Sequence, residues 1–147
     1  MNKPEGTLKV FRIDVEGILN QLIDASLERQ KLPYRMRGTE DSVICFKTIR
    51  GEGHSDALMK IFNERFPNNN LILCTNKYTA ESGRHRAKER GWHHLQIENH
   101  TGLAHHLRGR KLPVAIGIDP SYVLSEREKR DMLSYLGGPI QIIVFLG

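Results

Sequence analysis

Two stretches late in the chain are apolar at almost every position, VAIGI at 114–118 and IQIIVFL at 140–146. A strand with one face in water alternates apolar and polar residues, whereas a parallel strand covered by helices on both faces reads as a continuous apolar run. The two stretches therefore predict central strands, rather than edge strands, of an α/β domain.

Amphipathic segments alternate with these and other short apolar runs. The clearest of them places Ile18, Leu19, Leu22, Ile23 and Leu27 on one stripe of a helix, which should pack on a sheet. This alternation predicts a single α/β domain over 1–147, with a mixed central sheet flanked by helices and a restriction-endonuclease-like or Rossmann-like architecture. The predicted elements are strands at 7–13, 34–37, 42–49, 70–75, 93–98, 113–118 and 140–146, and helices at 15–30, 55–66, 79–90, 101–108 and 125–136.

Two of these helices carry further information. Ser125 and Glu128 have the spacing of a capping box at the start of the helix over 125–136, and the Gly-Gly-Pro at 137–139 should stop it. The helix over 79–90 has almost no apolar stripe beyond two alanines, so it should lie in solvent or against a ligand. Trp92 should anchor that helix to the core, with base stacking by Trp92 or Tyr78 as the alternative.

Composition narrows the class of protein. The chain has 147 residues, 39% of them hydrophobic and 27% charged, which is typical of a globular domain. The sequence has neither a membrane-length apolar window nor a secretory signal pattern at its start, so a cytoplasmic protein without membrane association is expected. Cys45 and Cys74 lie in apolar runs and form no CxxC motif, which makes a zinc ribbon or dithiol site improbable.

The positive charge is concentrated in one part of the chain. Between Arg84 and Lys111 lie seven basic and two acidic residues, so this stretch carries the whole net charge of +5. A polyanion is the natural partner of such a stretch, and nucleic acid, DNA or RNA, is the expected one. The residues predicted to contact phosphates are Arg84, Arg86, Lys88, Arg90 and Arg108.

A turn with two acidic residues leads into a strand that ends in a lysine, in the sequence Glu40-Asp41-Ser-Val-Ile-Cys-Phe-Lys47. Phosphodiester hydrolysis needs carboxylates to hold magnesium and a cation to stabilise the developing charge. The segment supplies both kinds of group. It predicts Asp41 and Glu40 as magnesium ligands and Lys47 as the stabilising cation of an endonuclease.

The stretch from Val43 to Leu107 resembles the second half of the Mrr-like restriction endonuclease catalytic domain, of the PD-(D/E)xK superfamily. The similar elements are VICFK, SDALMKIFNERF, LILCTN with KYTAES, RHRAKERG, HLQIEN and TGLAHHL. The segment that begins at Val15 is similar to the family's first helix, and this likeness implies that Glu16 supports the metal. Cys45 stands two positions before Lys47, where the family has a glutamate or glutamine. A degenerate fold that binds without cleaving is therefore the alternative.

A second resemblance gives a different metal site. The segment Gly51-Glu52-Gly53-His-Ser-Asp56, which opens a helix, resembles the glutamate-glycine element of Toprim domains. Those domains place an acidic pair at the end of a later strand, and Asp119 stands at such an end with Ser121 in the second position. The resemblance implies magnesium-assisted phosphoryl transfer with Glu52 as acid or base and Asp119 as ligand.

The C-terminal run supports a third hypothesis, in which the protein is an assembly component. An apolar last strand can add to the sheet of a neighbouring copy, so a homo-oligomer is possible. Nuclease, binding module and assembly component thus stay open from the sequence.

Overall fold

The computed structural model describes residues 14–32, 39–47, 53–100, 113–120, 124–134, 136 and 140–147. These ranges contain four α-helices and five β-strands, with a 3₁₀ turn at Thr39–Ser42 before the first strand. In chain order they are α1 (Val15–Arg29), β1 (Val43–Phe46), α2 (His54–Arg65), β2 (Asn70–Cys74), α3 (Lys77–Glu89), β3 (Ile97–Asn99), β4 (Ala115–Asp119), α4 (Glu126–Leu133) and β5 (Ile142–Leu146).

The five strands form one sheet in the order β1-β5-β4-β2-β3, and every neighbouring pair is parallel. The α/β class and the central position of β4 and β5 are confirmed. The described part of the sheet is parallel rather than mixed, because each of its strands returns through a crossover to the same edge. The strands predicted at 7–13 and 34–37 and the helix predicted at 101–108 lie outside the described residues.

The C-terminal strand β5 has β1 on one side and β4 on the other. Both of its edges are therefore occupied within the chain, and the prediction that this strand adds to a neighbour's sheet is wrong.

Among the described helices, none combines the length and the apolar character that a membrane span requires.

Helices cover both faces of the sheet. One hydrophobic cluster joins α1, α2 and α3 to one face, with Leu19, Ile23, Leu58 and Phe62 fully buried in it. The second cluster lies on the opposite face, where Met132 brings α4 against β2, β4 and β5. The strands that were predicted from continuous apolar runs are thus buried on both sides.

Polar side chains explain where the element ends differ from the predicted ones. The strand predicted at 93–98 is limited to β3, because Asn70 bonds to the segment before it. The amide of Asn70 donates to the carbonyl of His94 at 2.9 Å and accepts from the backbone N–H of Gln96 at 3.1 Å. The predicted capping box of Ser125 and Glu128 is confirmed, and α4 ends at Leu133, before the Gly-Gly-Pro segment.

The connections define a switch point in the sheet. From β2 the chain passes through α3 to β3, and from β4 it passes through α4 to β5. These two crossovers leave neighbouring strands in opposite directions and pack on opposite faces. In parallel α/β sheets such a point leaves a crevice outside the carboxyl ends of the strands, where ligands bind.

Helix α2 approaches β4 closely at Gly117. A Cβ atom built on Gly117 would lie 2.6 Å from Cδ2 of Leu58 and 3.4 Å from the ring of Phe62. Both side chains are fully buried, so neither has free space to move into. The absence of a side chain at Gly117 therefore sets the distance between α2 and the sheet.

We expect Gly117→Ala to lower the free energy of unfolding by about 1–3 kcal/mol, because the added methyl overpacks the core. Urea unfolding followed by circular dichroism measures the loss. Gly83→Ala is the matched control: its Cβ would lie 3.5 Å from Ile97 in ordinary contact, and alanine in a helix interior should add up to about 1 kcal/mol. Equal stability of both variants would contradict the close packing of α2 on β4.

Candidate functional site

A crevice of about 240 Å³ opens at the carboxyl ends of β2 and β4. It lies at the switch point of the sheet, between the first turns of α2 and α3, and is called the switch-point crevice below. Its polar lining consists of Ser55, Cys74, Thr75, Thr79, Arg86 and Asp119.

The register of the strands aligns three polar residues at this edge. Cys74 at the end of β2 pairs with Asp119 of β4 on one side and with Asn99 of β3 on the other. Residues paired across neighbouring strands project to the same face of a sheet. Asp119, Cys74 and Asn99 therefore form one row on the face that α2 and α3 cover.

Asp119 is held by the start of α2. The hydroxyl of Ser55 donates to Oδ2 of Asp119, and Nε2 of His54 lies 3.6 Å from its Oδ1. The carboxylate thus stands between the serine and the histidine. A serine nucleophile needs its hydroxyl bonded to the histidine instead, so this arrangement is not a Ser-His-Asp triad. It orients a carboxylate whose side chain is 17% exposed.

The start of α2 has no side-chain cap. Its N-cap is Gly53 in a left-handed conformation, with a φ of 80°. Neither Ser55 nor Asp56 caps this helix, because both lie inside it. Ser55 instead donates to Asp119. Asp56 pairs with Arg86 of α3 and with Arg90, which follows the helix. A negative charge near the first turn of a helix is favourable, and the Asp119 carboxylate lies there.

Burial keeps Cys74 neutral. Desolvation, with a smaller contribution from the nearby charge of Asp119, raises the pKa of the Cys74 thiol from 9.0 to about 11, although Arg84 and Arg86 oppose the shift. The thiolate is the nucleophilic form of cysteine. At neutral pH Cys74 therefore contributes a protonated thiol to the wall of the crevice.

Two of the predicted phosphate-binding residues share one acid. Arg86 and Arg90 donate to the two oxygens of Asp56 at 2.7 and 2.8 Å. Two guanidinium groups on one carboxylate leave a net charge of +1, and Arg86 also lines the crevice.

Arg90 lies over the ring of Trp92 at 5.5 Å, and Trp92 packs against the core. The prediction that Trp92 anchors α3 is confirmed.

The other predicted phosphate-binding residues lie elsewhere on α3 or outside the described residues. Arg84 donates to the carbonyl of Ile97 at 2.9 Å and lies 3.8 Å from the carboxylate of Glu98. Lys88 is exposed in the last turn of α3. Arg108 lies outside the described residues.

The predicted restriction-like site is not brought together. Asp41 lies in the 3₁₀ turn before β1, where its carboxylate is 3.4 Å from Arg29, whereas Lys47 follows the other end of the strand. The strand alone spans roughly 10 Å, because strands rise about 3.3 Å per residue. The backbone of Glu40 lies in the same turn as Asp41. Glu16 of α1 pairs instead with Lys60 of α2 at 2.8 Å.

Of the two carboxylates in the second predicted site, Asp119 lines the crevice and Glu52 lies outside the described residues. Sequence reasoning missed Ser55, Thr79 and Asn99 as neighbours of that site. One signal could have found them, since polar residues that follow apolar runs mark the carboxyl ends of strands.

In comparisons with known proteins, neither a protein-family model nor a curated protein matches this sequence.

The raised pKa of Cys74 predicts how stability depends on pH. Between about pH 9 and pH 11 the unfolded chain loses the thiol proton that the folded protein keeps, so stability falls as pH rises through this range. The free energy of unfolding, measured in urea at pH 8.5 and pH 10.5, should fall less in Cys74→Ala than in the unmodified protein. Cys45→Ala, which removes an exposed thiol, should keep the original pH dependence. An unchanged pH dependence in Cys74→Ala would contradict the assignment.

Proposed function

We propose that this protein binds nucleic acid at the carboxyl edge of its sheet, with a backbone phosphate held by Arg86 in the switch-point crevice. The observation that carries the proposal is that Arg86, which donates to Asp56 at 2.7 Å, lines the crevice. A guanidinium held in place by a carboxylate is preorganised for a phosphate, which it can bind through the donors that it does not use.

The surrounding charge supports a polyanionic ligand. The Asp56 cluster, which consists of Asp56, Arg86 and Arg90, has an excess of one positive charge. Lys77 opens α3 and Lys88 lies in its last turn, and both side chains are exposed. Arg84 extends the basic surface toward β3, and Arg108 remains part of the proposal from the sequence. Cationic contacts of this kind bind the phosphate backbone independently of base sequence and weaken with salt.

Cleavage with magnesium is the catalytic form of this proposal. Magnesium is bound in proteins by one or two carboxylates together with water and substrate phosphates. Asp119, oriented by Ser55, would be the protein ligand in the crevice, and Glu52 is its proposed companion. The metal would supply charge stabilisation at the phosphodiester, while Arg86 would hold a neighbouring phosphate oxygen.

Binding without cleavage is the second candidate function. Asp119 is the one carboxylate among the described residues that line the crevice. The described ranges also hold no group of three histidine, cysteine, aspartate or glutamate side chains placed to bind a metal. A protein that keeps the phosphate contacts and lacks a complete metal site would be a recognition module.

Binding is tested with labelled single- and double-stranded oligonucleotides of DNA and RNA, titrated across a salt series in EDTA. We expect salt-dependent binding, and we expect Arg86→Gln to weaken it and to lower the slope of log K against log salt by about 0.7–0.9, the share of one phosphate contact.

Arg65→Gln is the matched control for Arg86→Gln. Arg65 ends α2 at the opposite edge of the sheet and pairs with Asp24 at 2.7 Å, so it loses a comparable ion pair away from the crevice. Its binding should equal that of the unmodified protein. Absence of binding at low salt, or equal losses in both arginine variants, would refute the proposed function.

Cleavage is tested on the same oligonucleotides with magnesium. We expect Asp119→Asn to abolish cleavage while binding in EDTA is retained, because the substitution removes the metal ligand and keeps the bond from Ser55. Asp41→Asn and Lys47→Ala should leave cleavage unchanged. Loss of cleavage in these two variants and not in Asp119→Asn would instead support the restriction-like site. Binding without any cleavage would establish the recognition module.

A further inference from the structure

The first turn of α3 carries a strongly exposed aromatic ring. Tyr78 is 79% exposed and is the most exposed of the large hydrophobic side chains in the described ranges. The next residue, Thr79, lines the switch-point crevice. Tyr78 therefore precedes a residue of the crevice by one position, in the first turn of α3.

The backbone that carries Tyr78 is fixed. Asn76 and Thr79 form a capping box: the Asn76 side chain accepts from the N–H of Thr79 at 2.9 Å, and the N–H of Asn76 donates to the Thr79 hydroxyl at 3.1 Å. A ring on a rigid turn binds an aromatic partner at a lower entropic cost than a ring on a mobile loop. Trp92 offers no such platform, because it packs against the core and faces Arg90.

We propose that the protein accepts single-stranded nucleic acid, with an unpaired base stacked on Tyr78. This inference rests on the proposed function and specifies its substrate. Aromatic side chains stack on unpaired bases of any sequence. In a duplex the bases stack on one another and leave no face free for the ring, so stacking on Tyr78 favours a single strand over a duplex.

The experiment measures fluorescence anisotropy of a labelled 12-mer of deoxythymidine, a matching RNA 12-mer of uridine and a hairpin duplex, at constant salt. We expect Tyr78→Ala to weaken binding of the single strands by about 5- to 100-fold, the range of one stacked base. Tyr78→Phe keeps the ring and should stay within about threefold of the unmodified protein. Leu22→Ala, which truncates an exposed apolar side chain on α1, is the control and should change nothing.

The outcomes separate the inference from the proposed function. If the protein binds oligonucleotides through Arg86, and Tyr78→Ala binds single strands as the unmodified protein does, the inference fails and the proposed function stands. Equal losses for single strands and duplex in Tyr78→Ala would also overturn it. If no oligonucleotide binds at low salt, both fail. A loss confined to the single strands, rescued by Tyr78→Phe, would support the inference.

Discussion

The burial of the central strands on both faces is the constraint on which the rest of this structure depends. β4 and β5 are apolar along their length, so helices must cover both sides of them. Each strand then returns through a crossover to the same edge, and all carboxyl ends meet there. The polar residues that follow the apolar runs are consequently gathered in one place, although they lie far apart in the sequence.

Packing and site geometry are coupled through Gly117. Gly117 lies two residues before Asp119 on β4, and Leu58 lies one helical turn after Ser55 on α2. The same close approach that presses Leu58 against Gly117 brings the Ser55 hydroxyl to the Asp119 carboxylate. A side chain at Gly117 would move α2 outward and would alter the orientation of the carboxylate in the crevice. The packing of α2 on β4 in the core thus determines the position of the Asp119 carboxylate.

Local sequence patterns predicted the elements, whereas the contacts of the candidate site depend on the tertiary structure. Apolar runs and helical stripes depend on neighbouring residues, so α1, β4, β5 and the cap at Ser125 followed from the sequence. The pairing of Asp41 with Lys47 also looked plausible locally, yet β1 places them at its opposite ends. The bond from Ser55 to Asp119 joins residues 64 positions apart, and it depends on strand order and register. Neither of these can be derived from one sequence by periodicity alone.

The polar residues at the carboxyl edge differ in how well the fold satisfies their hydrogen bonds. Asp119 and Asp56 are satisfied within the protein, by Ser55 and by two arginines, and their geometry needs no ligand. Asn99 and His100 differ, because each keeps a buried atom without a partner. Each such atom costs about 1–3 kcal/mol, out of a total stability of about 5–15 kcal/mol for a domain. Both atoms are shielded from solvent, so the folded protein itself bears this cost.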